Sequence, residues 1–227
     1  MESSHYEFPE LEPLSEEMFL NTERRCPVVL LQDTSTSMAP HINKVNEGLQ
    51  VLRHDLMADR LAAQRVEIAV ITFGPVQLIQ DFVTVDRWLP PRLHADGNTP
   101  LGQALRFALK QIRARKRAYR EAGIPYYRPW IWLVTDGEPT DSWRDAGEEV
   151  QAEVKAGGLE MFTIGTDGAD VDILRQIGAP RPPVWLRETK YREMFVWLSQ
   201  SLKPVSRGTP GTALDLPPPS AWGEVQL

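Results

Sequence analysis

Cysteine is nearly missing from this chain: Cys26 is the only one in 227 residues. No intrachain disulfide can form, so a small secreted scaffold held by disulfide staples is excluded. The thiol lies beside a strand-like apolar run, where a free cysteine acts as a small buried hydrophobe. A reducing cytoplasm is the expected location. No apolar stretch approaches the roughly 18 residues needed to span a bilayer, so no membrane association is expected. The acidic N-terminus "MESSHYEFPELEPLSEEMF" has no apolar centre and does not read as a signal peptide. Positive charge is not in excess either. The net charge is −6, which argues against a general nucleic-acid binder. Internal repeats are absent, and no phosphate-cradling GxxxxGK[ST] motif occurs.

What is present is an alternation of strands and helices between two compositionally distinct ends. Residues 1–25 hold seven Glu and two Arg and read as an acidic N-terminal extension. Residues 204–227, "PVSRGTPGTALDLPPPSAWGEVQL", read as a flexible Pro/Gly-rich C-terminal tail. Its apolar tip, "AWGEVQL", has two readings, a segment packed back on the domain or a linear motif for a partner. Residues 26–203 form the domain. "CPVVLLQD" is a continuous apolar run, the mark of a strand covered on both faces. Ile42, Val45, Leu49, Leu52 and Leu56 recur with helical spacing behind it. "RVEIAVITFG" and "VQLIQDFVTV" are joined through Gly74-Pro75, too short a link for a parallel crossover, and predict a hairpin. "PWIWLVTDG", "LEMFTIGT" and "PVWLRE" alternate with helical segments. The expectation is an α/β fold: a six-stranded, mostly parallel sheet, one antiparallel edge strand, and helices on both faces.

In such sheets ligands bind beyond the carboxyl ends of the strands, where strand order reverses. Three segments reach that edge. "DTSTS" leaves the first strand with Asp33, Ser35 and Ser37 at alternate positions, so their side chains share a direction. "DGNTPLG" brings Thr99, and "VTDGEPTD" brings Asp136. Three hydroxyls and two carboxylates are hard oxygen donors, which suit Mg²⁺, Mn²⁺ or Ca²⁺. Neutral hydroxyls leave much of a cation's charge uncancelled, so it keeps affinity for an incoming carboxylate.

"DTSTS", the Thr of "GNTPLG" and the Asp of "TDGEPTD", in that order, resemble the metal-ion-dependent adhesion site of von Willebrand factor A domains. The likeness covers residues 27–202. "NEGLQVL", "NTPLGQAL" and "PWIWLVTDGEPTD" are similar to the bacterial subgroup typified by the tellurium-resistance TerY proteins. The resemblance implies a Rossmann-like fold in which Ser35, Ser37 and Thr99 touch the metal, while Asp33 and Asp136 hold it directly or through water. It also implies a cytoplasmic bacterial scaffold in a stress response, tellurite resistance included, with phosphatase-like or kinase-like partners. Thr36 departs from the family's usual Gly or Ala and is expected to alter the loop without removing a ligand.

Each motif also has a plainer explanation. Asp33 and Ser35 would cap the helix that follows, Thr99 is suited to an N-cap, and Asp136 to a turn. It is their joint occurrence at strand ends that favours the site. Asp141 and Ser142 read as helix caps, Asp167 and Asp170 as turn and cap. "RARKRAYR" reads as a solvated helix end. Trp132 reads as core, and Tyr126 and Tyr127 as exposed residues open to a protein interface. Three functions compete. The first is a non-enzymatic module that binds a partner's Asp or Glu through a divalent cation. The second is a metal-dependent phosphohydrolase, disfavoured because no His or Lys accompanies the motifs as a base and His94 lies in an apolar-flanked loop. The third is an interaction protein whose site stays empty.

Overall fold

The computed structural model describes residues 21–187, 190–209 and 216–226; most of the acidic extension lies outside them. Strand β1, Cys26–Asp33, is buried at all eight positions, as its unbroken apolar run requires. It pairs in parallel with β2 (Val66–Phe73) on one side and β4 (Trp130–Thr135) on the other. β5 (Glu160–Gly165) and β6 (Val184–Leu186) continue the parallel set. β3, Val76–Thr84, returns from β2 through Gly74-Pro75 and pairs antiparallel at one edge, as the short link demands.

The sheet has seven strands, not six, in the order β3-β2-β1-β4-β5-β6-β7. β7, Gly223–Val225, pairs antiparallel with β6 and makes the second edge. Residues 216–226 are thus held on the sheet, in line with the reading of the apolar tip as packed back on the domain, while residues 210–215 of the expected flexible tail lie outside the described residues. Trp222 is 1% exposed and packs on Trp132 and Trp197 at ring separations of 6.1 and 5.7 Å. Pro and Gly content marked the segment as unstructured, but one large aromatic side chain supplies enough apolar area to hold it down. The last long helix also runs past residue 203, to Arg207.

Strand alternation divides the core. Val28, Leu30, Trp132 and Phe162 face α1 (Ile42–Met57), the short α2 (Arg60–Arg65) and α6 (Tyr191–Arg207). Val29, Leu31, Ile131 and Met161 face α3 (Leu101–Glu121), α4 (Arg144–Lys155) and α5 (Val171–Gly178). Helix α2 escaped the sequence reading because six residues carry too little periodicity; Asp59 starts it by accepting the Leu61 and Ala62 amides. Asp170 does the same for α5. Asp141 does not cap its own helix. Its two carboxylate oxygens accept the amides of Gly102 and Gln103, 2.8 Å each, at the start of α3. Tyr127 is 3% exposed, not open, and its hydroxyl donates to the Ser206 and Gly208 carbonyls. Part of the basic run is paired: Arg113 meets Glu149 and Glu153, and Arg115 meets Glu67. Among the described residues no helix is long and apolar enough to cross a membrane.

Candidate metal centre

β1 has β2 on one side and β4 on the other, so strand order reverses at the β1–β4 boundary. The loops leaving these two strands diverge to opposite faces and open a crevice at their carboxyl ends. Asp33 is the last residue of β1 and is fully buried. Its Oδ1 accepts the Ser35 amide at 2.8 Å, and its Oδ2 accepts the Thr135 hydroxyl. Beyond it the chain makes a 3₁₀ turn, Thr36–Met38. Ser35 is buried while Ser37 is exposed, and their hydroxyls lie 3.0 Å apart. Ser37 then donates to Asp136 Oδ1 at 2.7 Å, bridging the β1 loop to the β4 loop.

Thr99 joins the same crevice from the loop before α3. A Cβ built on Gly137 would lie 3.4 Å from Thr99 Oγ1 and 3.9 Å from Ser37 Oγ. Gly137 therefore sits between the two hydroxyls and leaves the space open. Thr99 is fixed by the 140s loop, its carbonyl accepting the Thr140 amide at 2.9 Å and its amide donating to Thr140 Oγ1 at 3.2 Å. All five residues picked out by sequence thus gather at one end of the sheet. Thr36 departs from a small residue to a purpose: its amide and hydroxyl both donate to the Gly97 carbonyl, at 3.0 and 3.1 Å. Gly97 has φ 74, a conformation glycine adopts without steric cost. These bonds clamp the Thr99 loop against the Ser35–Ser37 turn.

Burial, above all, holds the carboxyl groups of Asp33 and Asp136 above the usual carboxylate range. The hydroxyls of Ser35 and Thr135 pull Asp33 partly back, and Asp136 pushes it up again. Ser37 and His41 moderate Asp136. Two carboxylates drawn from water towards one crevice make a place where a positive ion lowers the energy. The donors are oxygens only; among the described residues no group of three or more His, Cys, Asp or Glu side chains is placed to hold a metal ion. The set fits a hard divalent cation held largely by hydroxyls.

Sequence reasoning missed the support around these groups. Thr135 holds Asp33 but is an ordinary strand residue to the eye. Tyr191 opens α6, fully buried, its ring 5.8 Å from that of His41. Its phenol is pushed up by burial and by the charges of Asp136, Asp33 and Asp167. Nothing in the local sequence around residue 191 points to a crevice formed at residues 33 and 136.

The family model of the von Willebrand factor type A domain matches residues 28–195. The chain belongs to the von Willebrand factor type A family. Mouse matrilin-1 is 37% identical over 81 residues, which span 36% of this chain and 15% of matrilin-1. A von Willebrand factor type A protein from Catenulispora acidiphila superposes with a TM-score of 0.59 at 18% identity, covering 79% of this chain and 43% of that one. The manganese-loaded Plasmodium vivax TRAP protein superposes with a TM-score of 0.53 at 18% identity, covering 78% and 73%. At such identity these structures establish the shared fold. This von Willebrand factor type A domain spans only about a seventh of the length of the matrilin it matches.

Proposed function

We propose that this von Willebrand factor type A domain is a non-enzymatic, metal-dependent protein-binding module. Asp33, Ser35, Ser37, Thr99 and Asp136 hold a divalent cation, Mg²⁺ first, with Mn²⁺ or Ca²⁺ as substitutes. The cation supplies an uncancelled positive charge at the crevice, and a partner's Asp or Glu answers it. The observation that carries this reading is the Ser37–Asp136 bond, which ties the two loops at the switch point into one oxygen-lined crevice. The manganese carried by the Plasmodium vivax TRAP protein, which shares the fold, supports a divalent ion here. The setting proposed is a bacterial cytoplasmic stress response of the TerY type, tellurite resistance included, with a phosphatase-like or kinase-like partner. The one, buried cysteine supports a reducing compartment.

The test is capture of the partner from the native host with Mg²⁺ and with chelator, using wild type and Asp33→Ala. Capture should need the cation and fail with the variant. Cation-dependent capture by Asp33→Ala would remove Asp33 from the site. Hydrolysis of phosphorylated substrates in Mg²⁺ or Mn²⁺, lost in the same variant, would favour the phosphohydrolase.

A further inference from the structure

The C-terminal segment, residues 216–226, is held at the far edge of the sheet by contacts of the kind that bind separate peptides. Trp222 is a single buried anchor among Trp132, Trp197 and Phe162. The proline run before it crosses the same indoles, and Trp197 Nε1 donates to the Pro217 carbonyl at 2.9 Å. After the anchor the backbone adds a strand to the sheet edge, pairing Gly223 with Leu186, Glu224 with Trp185 and Val225 with Val184. The Arg187 amide donates to the Trp222 carbonyl and the Gln226 amide to the Pro183 carbonyl, both at 2.9 Å. Proline on an aromatic surface, a buried aromatic anchor and strand addition are three recurring means of peptide recognition.

The segment does not fill its groove. A half-open depression of about 270 Å³ remains beside it, lined by Trp132, Phe162, Trp197, Pro217 and Trp222 among others. Between Arg207, the end of α6, and Leu216 the chain has eight residues. Extended, they reach on the order of 25–30 Å, enough to carry the segment away from its own groove to a neighbouring molecule.

We propose that the groove between β6 and α6 is a peptide-binding site for a proline run followed by a tryptophan, and that the same segment of a second copy can occupy it. Exchange preserves every contact named above, because the two copies offer identical grooves and identical segments. In one molecule the tethered segment competes at a local concentration in the millimolar range, so its own groove stays filled until the anchor lets go.

The experiment uses the full chain and a fluorescein-labelled peptide of residues 216–227. Trp222→Ala removes the anchor. Gly223→Val is a second way to lift the segment without hollowing the core, since a Cβ there would lie 2.3 Å from Val184 Cγ1. Circular dichroism establishes that each variant is folded. Fluorescence anisotropy should show saturable peptide binding to either folded variant, and wild type should bind at least about tenfold more weakly because its own segment competes. A peptide with the tryptophan replaced by alanine should bind about thirtyfold more weakly. Trp197→Phe, added to Gly223→Val, keeps a ring and removes the donor to Pro217, and should weaken binding. Light scattering of wild type should reveal a dimer that grows with concentration and is missing in Trp222→Ala. Failure of the peptide to bind both variants, equal binding to wild type and variants, a dimer that persists in Trp222→Ala, or no dimer of wild type at any concentration would each overturn the proposal.

Discussion

Asp33 is the residue on which the crevice turns. Its raised carboxyl pKa means that the native state holds the proton more tightly than the unfolded chain. The stability this gives is present at low pH and is lost as pH rises through the folded value. Near neutrality, then, an ionised Asp33 costs the metal-free domain stability. Asp33→Asn should leave the melting temperature in chelator unchanged or higher. The same substitution should abolish the Mg²⁺-dependent rise that the proposed site predicts for wild type, about 2.7 kcal/mol at a hundredfold excess over the dissociation constant. A thermal melt of both proteins with and without Mg²⁺ reads both effects. Cys26 offers a second check. Burial, helped by Glu67, pushes its thiol from an ordinary value of 9.0 up to about 12. A raised value in the native state gives stability below pH 9.0 that is lost as pH climbs towards about 12. The urea midpoint should therefore fall more steeply with alkaline pH in wild type than in Cys26→Ala. The native thiol should resist an aromatic disulfide reagent until the chain unfolds.

At the scale of elements, the start of α3 matters more than its length. Its first amides face the 140s loop, where Asp141 receives two of them. A Cβ on Gly102 would lie 2.3 Å from the Ser142 carbonyl oxygen, so glycine permits this approach. The contact carries Thr99 and the Asp136 loop together, because Thr140 bonds Thr99 at both backbone groups. Asp141→Ala should cost about 0.5–2 kcal/mol, as for the loss of other helix caps. It should also weaken Mg²⁺ affinity although Asp141 is not among the proposed ligands. Denaturant melts and calorimetric titration separate the two effects; a stability loss with unchanged Mg²⁺ affinity would show that the loops hold their places without it.

For the whole molecule, the two ends of the sheet are secured differently. Beneath the amino ends of the strands lies a buried charge group: Glu67, 2% exposed, meets Arg25 and Arg115 at 2.8 Å each and accepts the Tyr119 hydroxyl. Removing the carboxylate leaves Arg25, which is 1% exposed, a buried charge whose remaining partners are the neutral carbonyls of Asn21 and Glu23. Glu67→Ala should cost about 3–5 kcal/mol, measured by urea unfolding. The C-terminal edge is closed by Trp222. Ending the chain before residue 216 uncovers Trp132 and Trp197, a loss comparable to a Trp→Ala change of about 3–5 kcal/mol. A fall in melting temperature on the order of 10 °C should follow. An unchanged melting temperature would mean that the segment contributes nothing to the fold.

The alternation of strands and helices, the hairpin at Gly74-Pro75 and the meeting of the Asp33, Thr99 and Asp136 loops at one end of the sheet were all legible in the amino-acid order. Those features are written in local periodicity and in short motifs, and the physics that reads them acts over a few residues. What depends on distant partners had to wait for the folded chain. Asp141 resembles a cap of its own helix, yet it holds α3, 38 and 39 residues back in the chain. Thr135 looks like any strand residue until β4 lies beside β1 and gives its hydroxyl to Asp33. Trp222 sits in a stretch whose composition favours disorder, and its burial rests on Trp132 and Trp197 meeting on one face of the sheet. Composition and spacing carry no record of which surfaces come together, because burial and pairing energies arise only once the sheet has brought separate segments into contact.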